Sequence, residues 1–252
     1  MNEGYDPIYL SELVKKYVVK KVGNIEYRLY YRFRGGPWYG GIATGDVIGC
    51  NLRCKFCWSS YFRDNYRLGR FFSPFEVFKR LKYIAEKKGY GLIRLSGSEP
   101  TLSMNHVLEL IKLCEDEDYV FILETNGLLI GKDHRLAKEL SNFSNVVVRV
   151  SIKGACKRDF SILTGAKGEY FSLQLEALRN LIDAGLKPGS EVIAAIMASF
   201  SSDEDLARLV MELSKIHEDL VRNIDWEVVI LYPGVKKLLS KYGLRPRRYI
   251  EP

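Results

Sequence analysis

The chain has 252 residues, 47% of them hydrophobic and 27% charged, with a formal net charge of +7. That length and mix exclude a disordered chain and allow one large domain or two small ones. No apolar run reaches membrane-spanning length, and Met1–Asp6 lacks the basic-then-apolar pattern of a secretory leader, so a soluble cytoplasmic protein with no membrane partner is expected. The positive balance points to an anionic partner such as phosphate or nucleic acid, or simply to a solvated basic surface.

In chain order, residues 8–18 have a helix-like mix, and 18–22 and 25–33 flank Gly23-Asn24 as a β-hairpin. The run from Gly35 to Gly41 reads as a punctuated linker, which makes residues 1–40 an N-terminal helix and β-hairpin extension. Strands and helices then alternate. Strands are expected at 41–48, 91–95, 120–124, 146–152, 192–198 and 226–231. Helices are expected at 74–88, 104–115, 132–140, 169–184, 203–216 and 235–241.

Several helix ends have a visible cause. Ser73-Pro74-Phe75-Glu76 is a capping box in which Ser73 should accept from the Glu76 amide, and Gly89 should stop that helix. Gly185 closes the helix that carries the stripe Leu173, Leu175, Leu178, Leu181 and Ile182. Asp203, Glu204 and Asp205 follow Ser202 where the helix dipole favours acids. The strands read as nearly all apolar, as when both faces of a parallel sheet are covered. Strict alternation implies parallel strands with right-handed crossovers, and six units fall short of the eight of a closed barrel. The expected fold is α/β: a partial six-unit (β/α)6 barrel with parallel strands over residues 41–242, with a basic C-terminal tail at 243–252. No internal repeat or low-complexity tract interrupts it.

The first strand runs into Gly49-Cys50-Asn51-Leu52-Arg53-Cys54-Lys55-Phe56-Cys57-Trp58. Three thiolates at C-x3-C-x2-C spacing on one loop can hold three corners of an iron–sulfur cube and leave one iron open to a substrate or cofactor. A structural zinc site would want a fourth Cys or His. Cys114 and Cys156 stand alone, and His106, His134 and His217 fall in no paired spacing. Unligated thiols are the remaining reading, and a disulfide framework does not suit five cysteines in a chain of this length.

Chemistry in such barrels gathers where strands end. There the sequence places the cysteine loop, Ser96-Gly97-Ser98-Glu99-Pro100, Glu124-Thr125-Asn126-Gly127, Ser151-Ile152-Lys153 and Tyr232-Pro233-Gly234. Polar, glycine-rich loops are common at any βα junction, but that does not account for the cysteines or for Lys153. The order of motifs over about residues 41–240 resembles the radical S-adenosylmethionine (SAM) superfamily, most closely its glycyl-radical activase branch, that of the pyruvate formate-lyase activating enzyme.

The resemblance implies that Cys50, Cys54 and Cys57 ligate a [4Fe–4S] cluster whose fourth iron is chelated by SAM, with Phe56 near the adenine. It implies that Gly97-Ser98-Glu99, where the family has Gly-Gly-Glu, holds the SAM amino group, with Ser98 departing from the pattern. Glu124-Thr125-Asn126-Gly127 is similar to an Asp-Thr-Asn-Gly segment, which brings in Thr125 and Asn126. Ser151 and Lys153 stand where the activases have Asp-Leu-Lys: Lys153 would pair with the SAM carboxylate, and Ser151 removes a carboxylate from any monovalent-cation site. Tyr232 matches the segment that closes over adenine.

The implied reaction is one-electron cleavage of SAM to a 5′-deoxyadenosyl radical, which takes a hydrogen atom from a substrate. A reduced flavodoxin- or ferredoxin-type donor would supply the electron. Substrate candidates are a protein glycine, or a nucleotide or tRNA, as suggested by the Cys-x-Phe-Cys-Trp loop and Glu99-Pro100-Thr101. A non-catalytic zinc-binding or degenerate scaffold is the third reading. Arg53, Lys55, Arg63, Arg67 and Arg70 could make a basic mouth or a solvated loop, and Arg245, Arg247 and Arg248 could touch phosphate. Cys114 is expected to pack in a helix, and Cys156 to be buried or inert.

Overall fold

The computed structural model describes residues 4–252; the leader reading of Met1–Asp6 rests partly on residues outside that range. Helix α1 (Pro7–Val18) is capped by Asp6, whose carboxylate accepts from the Ile8 and Tyr9 amides. Strands β1 (Val19–Val22) and β2 (Ile25–Gly36) form the antiparallel hairpin, and β3 (Ile42–Val47) runs antiparallel to β2. After the cysteine loop come a single turn, α2 (Ser60–Arg63), and β4 (Arg70–Phe72), which also pairs with β2. The alternation continues with α3 (Pro74–Lys88), β5 (Leu92–Ser96), α4 (Met104–Glu115) and β6 (Val120–Thr125). Next are α5 (Leu128–Lys132), α6 (His134–Leu140), β7 (Val146–Ile152), α7 (Lys157–Thr164), α8 (Phe171–Asp183) and β8 (Val192–Met197). The chain ends with α9 (Asp203–Ile216), α10 (Glu218–Arg222), β9 (Asp225–Glu227), β10 (Val229–Ile230), α11 (Pro233–Tyr242) and β11 (Tyr249–Ile250).

Strands β3, β5, β6, β7, β8 and β9 are parallel and lie side by side in sequence order. Among the described residues β9 makes no pairing back to β3, so the wall stays open and the fold is the expected partial barrel of six parallel strands. The capping box forms as expected: Ser73 Oγ accepts from the Glu76 amide at 3.3 Å and Glu76 Oε2 accepts from the Ser73 amide at 2.8 Å. Gly89 ends α3 at φ 68°.

Four features differ from the sequence-based expectation. Gly35 and Gly36 lie inside β2, opposite Ala43 and Ile42, so the hairpin extends the main sheet instead of preceding it through a linker. The last strand is split: β9 pairs with β8, while β10 pairs in parallel with Tyr249–Ile250 and not with β8. Helices α5, α7 and α10 are present where no helix is expected; each is too short to show a helical period, and α7 opens on Lys157-Arg158-Asp159.

The fourth difference bears on function. The parallel strands are not nearly all apolar: every one except β8 carries polar or charged side chains on the face turned away from the helices. Ala43, Val47, Ile93, Leu95, Phe121, Leu123, Val148, Val150, Ala194 and Ile196 are buried in the core that includes residues of α3, α4 and α8. By strict alternation the other face carries Thr44, Asp46, Arg94, Ser96, Glu124, Arg149, Ser151, Asp225 and Glu227. That face lines the barrel interior, where side chains meet each other across strands and charges can pair.

Helices α5 and α8 cross closely, and a Cβ on Gly131 would lie 1.9 Å from the Leu173 carbonyl oxygen. Backbone oxygen cannot swing aside as a side chain can. Gly131→Ala is therefore expected to cost about 3 kcal/mol, the upper end of typical overpacking. A thermal melt followed by circular dichroism checks it; an unchanged midpoint would mean that the helices part freely.

Candidate active site at the barrel mouth

The cysteine loop leaves β3 through Gly49, whose φ of 90° and close approach to Val14 and Val18 (2.8–2.9 Å from an added Cβ) leave no room for a side chain. Loop residues then alternate in fate. Leu52 is buried in the main core, and Phe56 in an apolar cluster with Leu163, Met197, Val229 and Leu231. Cys50, Cys54 and Cys57 are only partly buried and form no disulfide. The Tyr5 hydroxyl accepts from the Arg53 amide at 2.8 Å, and the Lys55 amide donates to Leu163 O at 2.8 Å. Loop conformation is thus imposed from α1's end of the chain and from α7. Burial, with Glu99 and Cys54 nearby, pushes the Cys50 thiol up to about 12. Burial pushes Cys54 up to about 11 against the pull of Lys153. Metal binding to such thiols must release protons.

The Gly97–Glu99 turn packs directly against this loop. Gly97 has φ 88°, an added Cβ would lie 3.1 Å from Val47 O, and its carbonyl accepts from Ser59 Oγ. Ser59 Oγ lies 3.3 Å from Cys57 Sγ. Glu99 is 2% exposed, and its carboxylate is turned towards the turn after β6. It accepts from the Thr101 amide and hydroxyl, from Thr125 Oγ1 at 2.7 Å and from the Asn126 amide at 2.9 Å. Asn126 Nδ2 in turn donates to Asn51 Oδ1 at 2.7 Å and approaches Cys50 Sγ at 3.9 Å. One buried network therefore ties the turns after β5 and β6 to the first cysteine. Glu99→Gln would set an amide N–H₂ against at least one donor. A loss of about 1–3 kcal/mol is expected from the unsatisfied group, read by urea unfolding, and an unchanged midpoint would count against the network.

Beneath these turns sits an ionic layer. Lys153 Nζ lies 3.6 Å from Glu227 Oε2 and donates to Ser151 Oγ, which donates to Glu227 at 2.7 Å. Arg149 bridges Asp225 at 2.6 Å and Glu227 at 2.8 Å. Burial would raise the Glu227 carboxyl, but Lys153, Arg149 and the Ser151 hydrogen bond overcome it and hold the group at about 2. Burial would likewise lower Lys153, and Glu227 and Cys54 together raise it. Gln174 on α8 locks the segment, accepting from the Lys153 amide and donating to Asn126 O and Ser151 O.

Among the described residues, Ser98 Oγ, Arg63 Nη1 and Tyr31 OH are buried with no hydrogen-bond partner. All three flank the loop: Arg63 is within electrostatic reach of Cys57 and Cys50, Tyr31 of Cys57, and Ser98 follows Gly97. Buried donors without acceptors are costly unless a ligand supplies the acceptors. The carboxylate and hydroxyl oxygens of SAM, and the sulfides of a cluster, are acceptors of that kind, so these residues fit both groups.

The structure thus brings Cys50, Cys54, Cys57, Gly97, Ser98, Glu99, Thr125, Asn126, Ser151 and Lys153 to one mouth. Phe56 lies inside the apolar cluster, 5.3 Å centroid to centroid from Phe200. Tyr232 caps α11 and is 42% exposed, with no hydroxyl contact to the loop among the described residues. Sequence reasoning missed Asn51, Gln174 and Glu227, and left Arg63 between a basic mouth and a solvated loop; the structure buries it beside the cysteines. The signal for the ionic layer was present in the alternation of Asp46, Arg94, Glu124 and Arg149 along their strands. No three His, Cys, Asp or Glu side chains among the described residues converge as a single-ion site. No helix among them is long and apolar enough to cross a membrane.

An open parallel α/β barrel with a cysteine-bearing loop at the C-terminal ends of its strands is the class that fold and site define. The profile of the Radical SAM superfamily matches residues 47–236, and the chain belongs to that superfamily, whose enzymes use a [4Fe–4S] cluster and SAM. A relative from Methanocaldococcus jannaschii, bearing the name of a glycyl-radical enzyme activating enzyme, is 33% identical over 81 residues, 32% of this chain and 29% of the relative. The SAM-bound structure of SuiB from Streptococcus suis aligns with a TM-score of 0.53 at 16% identity over 82% of this chain. The chain spans 50% of SuiB's length. A structure of TYW1 with a lysine–pyruvate adduct aligns with a TM-score of 0.52 at 17% identity, over 94% of this chain and 88% of that one. At those identities the structural likenesses speak for the fold.

Proposed function

We propose that Cys50, Cys54 and Cys57 ligate three irons of the cluster, that SAM is held against the fourth, and that the substrate is a glycine of a protein partner. The observation that carries this reading is the alternation along the loop: Leu52 and Phe56 are buried as anchors, while Cys50 before them, Cys54 between them and Cys57 after them stay only partly buried. A cube takes each thiolate on a different iron, so its ligands need not converge as those of one zinc ion do. The choice of a glycine is supported by the 81-residue likeness to a protein named as an activase. In this reading residues 41–242 form the catalytic core, with 1–40 and 243–252 added at its two edges.

When bound and given one electron by a reduced flavodoxin- or ferredoxin-type donor, the cluster and SAM supply the power to abstract a hydrogen atom. The chain's own residues position and insulate. Gly97 lets the backbone approach the amino group closely, and the unpartnered Ser98 hydroxyl stands beside it. Lys153 and Arg63 present positive charge to a carboxylate, and the Glu99–Thr125–Asn126 network keeps that geometry from loosening. Leu52, Phe56 and Met197 keep water away from the inner side of the loop.

Anaerobic reconstitution with iron and sulfide, followed by SAM and dithionite, should yield 5′-deoxyadenosine. Protein loaded with four irons that forms none would reject the reading. A glycyl radical seen by electron paramagnetic resonance in an added partner supports the protein substrate. Co-purified tRNA, with binding that falls steeply with salt, would replace it.

A further inference from the structure

The interior of the barrel holds a chain of ion pairs, and most are matched. Arg94 pairs with Glu124 at 2.6 Å, Arg149 with Asp225 and Glu227, and Lys153 with Glu227. The exception is at β2. Arg34 binds the fully buried Asp46 carboxylate through both oxygens, at 2.8 and 3.2 Å. Arg32 adds a second guanidinium to that one carboxylate through Nε alone, at 2.7 Å. Two cations therefore share a single anion. Among the described residues the Arg32 Nη1 and Nη2 groups have no hydrogen-bond partner, and its side chain is 45% exposed.

Its position is as telling as its surplus charge. The guanidinium lies 5.5 Å from the Tyr31 ring centroid and 6.0 Å from that of Trp58, the half-exposed residue that follows Cys57. Asp46 lies under the turn after β5, its Cβ 3.2 Å from where a Cβ on Gly97 would stand. The adjacent Tyr31 hydroxyl is buried without a partner. Arg32 thus stands at the sheet edge between the cysteine loop and the Gly97 turn, near two aromatic rings, held by Nε, and with both terminal amino groups free. A planar fork held in this way is suited to bidentate capture of an oxyanion.

We propose that Arg32, backed by Arg34 and Asp46, binds an anionic group of the substrate, a phosphate or a carboxylate, beside Trp58. The proposal rests on the reading of the mouth given above and names the chemistry of what enters it. Phosphate and carboxylate share that chemistry, and the test separates them.

Phe replacements at Trp38 and Trp226 leave Trp58 as the sole tryptophan of the three and the reporter. Inorganic pyrophosphate and succinate are titrated at low salt into this protein and into its Arg32→Gln and Arg32→Lys forms. A saturable change in Trp58 fluorescence is expected, weakened on the order of tenfold in Arg32→Gln and less in Arg32→Lys, which keeps charge without the fork. A stronger response to pyrophosphate assigns a phosphate group; a stronger one to succinate assigns a carboxylate. Arg32→Gln leaves both Arg34 bonds on Asp46, so the variant is expected to fold, and a thermal melt verifies that.

No saturable response, or equal affinity in Arg32→Gln, overturns the proposal. Competitive displacement of the anion by SAM overturns it as well, since the residue would then serve the cofactor. The titration needs no turnover, so failed SAM cleavage would reject the proposed function and leave this result standing.

Discussion

Cys50→Ala, Cys54→Ala and Cys57→Ala are each expected to lose iron and acid-labile sulfide together and to cut 5′-deoxyadenosine formation by roughly 10³-fold or more, as when one member of a group that acts as a unit is removed. Each thiolate would hold a separate corner of the cube, and none of the others can span to a vacated iron. The fold should survive. Leu52 and Phe56 anchor the loop by apolar burial, and the amides of Arg53 and Lys55 are tied to Tyr5 OH and Leu163 O, independently of the thiols. Cys114→Ala is the control. That thiol is fully buried in α4, away from the mouth, so its loss should lower the thermal midpoint and leave the iron content unchanged. Iron retained in any of the three loop variants would break the ligand assignment.

Glu227→Gln is expected to destabilise the protein and flatten its acid response. The Glu227 carboxyl titrates at about 2 in the folded chain, below its ordinary value of 4.5. A depressed carboxyl stabilises the fold above its unfolded value, and that contribution is lost as pH falls from about 4.5 towards 2. Such a shift is worth roughly 3 kcal/mol at neutral pH. Removing one member of a buried ionic group costs about 3–5 kcal/mol, because a partner is left buried and unbalanced. The partner here is chiefly Lys153, since Arg149 keeps Asp225. Urea unfolding of both proteins across pH 2–7 checks the effect; parallel stability curves would show that Glu227 does not set the acid limb.

Side by side with those experiments, the sequence was most informative where a property is local. The cap at Ser73 and the stop at Gly89 depend on residues a few positions apart, and both formed as read. The C-x3-C-x2-C spacing was legible for the same reason, as was the alternation that implied six parallel strands. Short elements escaped. Helix α5 has five residues, too few for a period, yet it carries the Gly131 contact with α8.

What lies across strands was not legible. Glu99 and Asn126 are 27 positions apart, Arg149 and Glu227 are 78 apart, and each pair meets only because the sheet sets their strands in register. Glu99 itself could be picked out from its motif, but the direction of its carboxylate depends on Thr125 and the Asn126 amide arriving from β6. Strand alternation could have warned that Asp46, Arg94, Glu124 and Arg149 share a face. It could not say that Asp46 would serve two arginines and leave one guanidinium unspent beside Trp58. Sequence alone determined which residues could bind metal and which segments alternate, because hydrogen-bond and packing propensities act within a few residues. Only the tertiary structure decided which charges are neutralised, because Coulomb interactions and burial depend on distances that register and barrel curvature create.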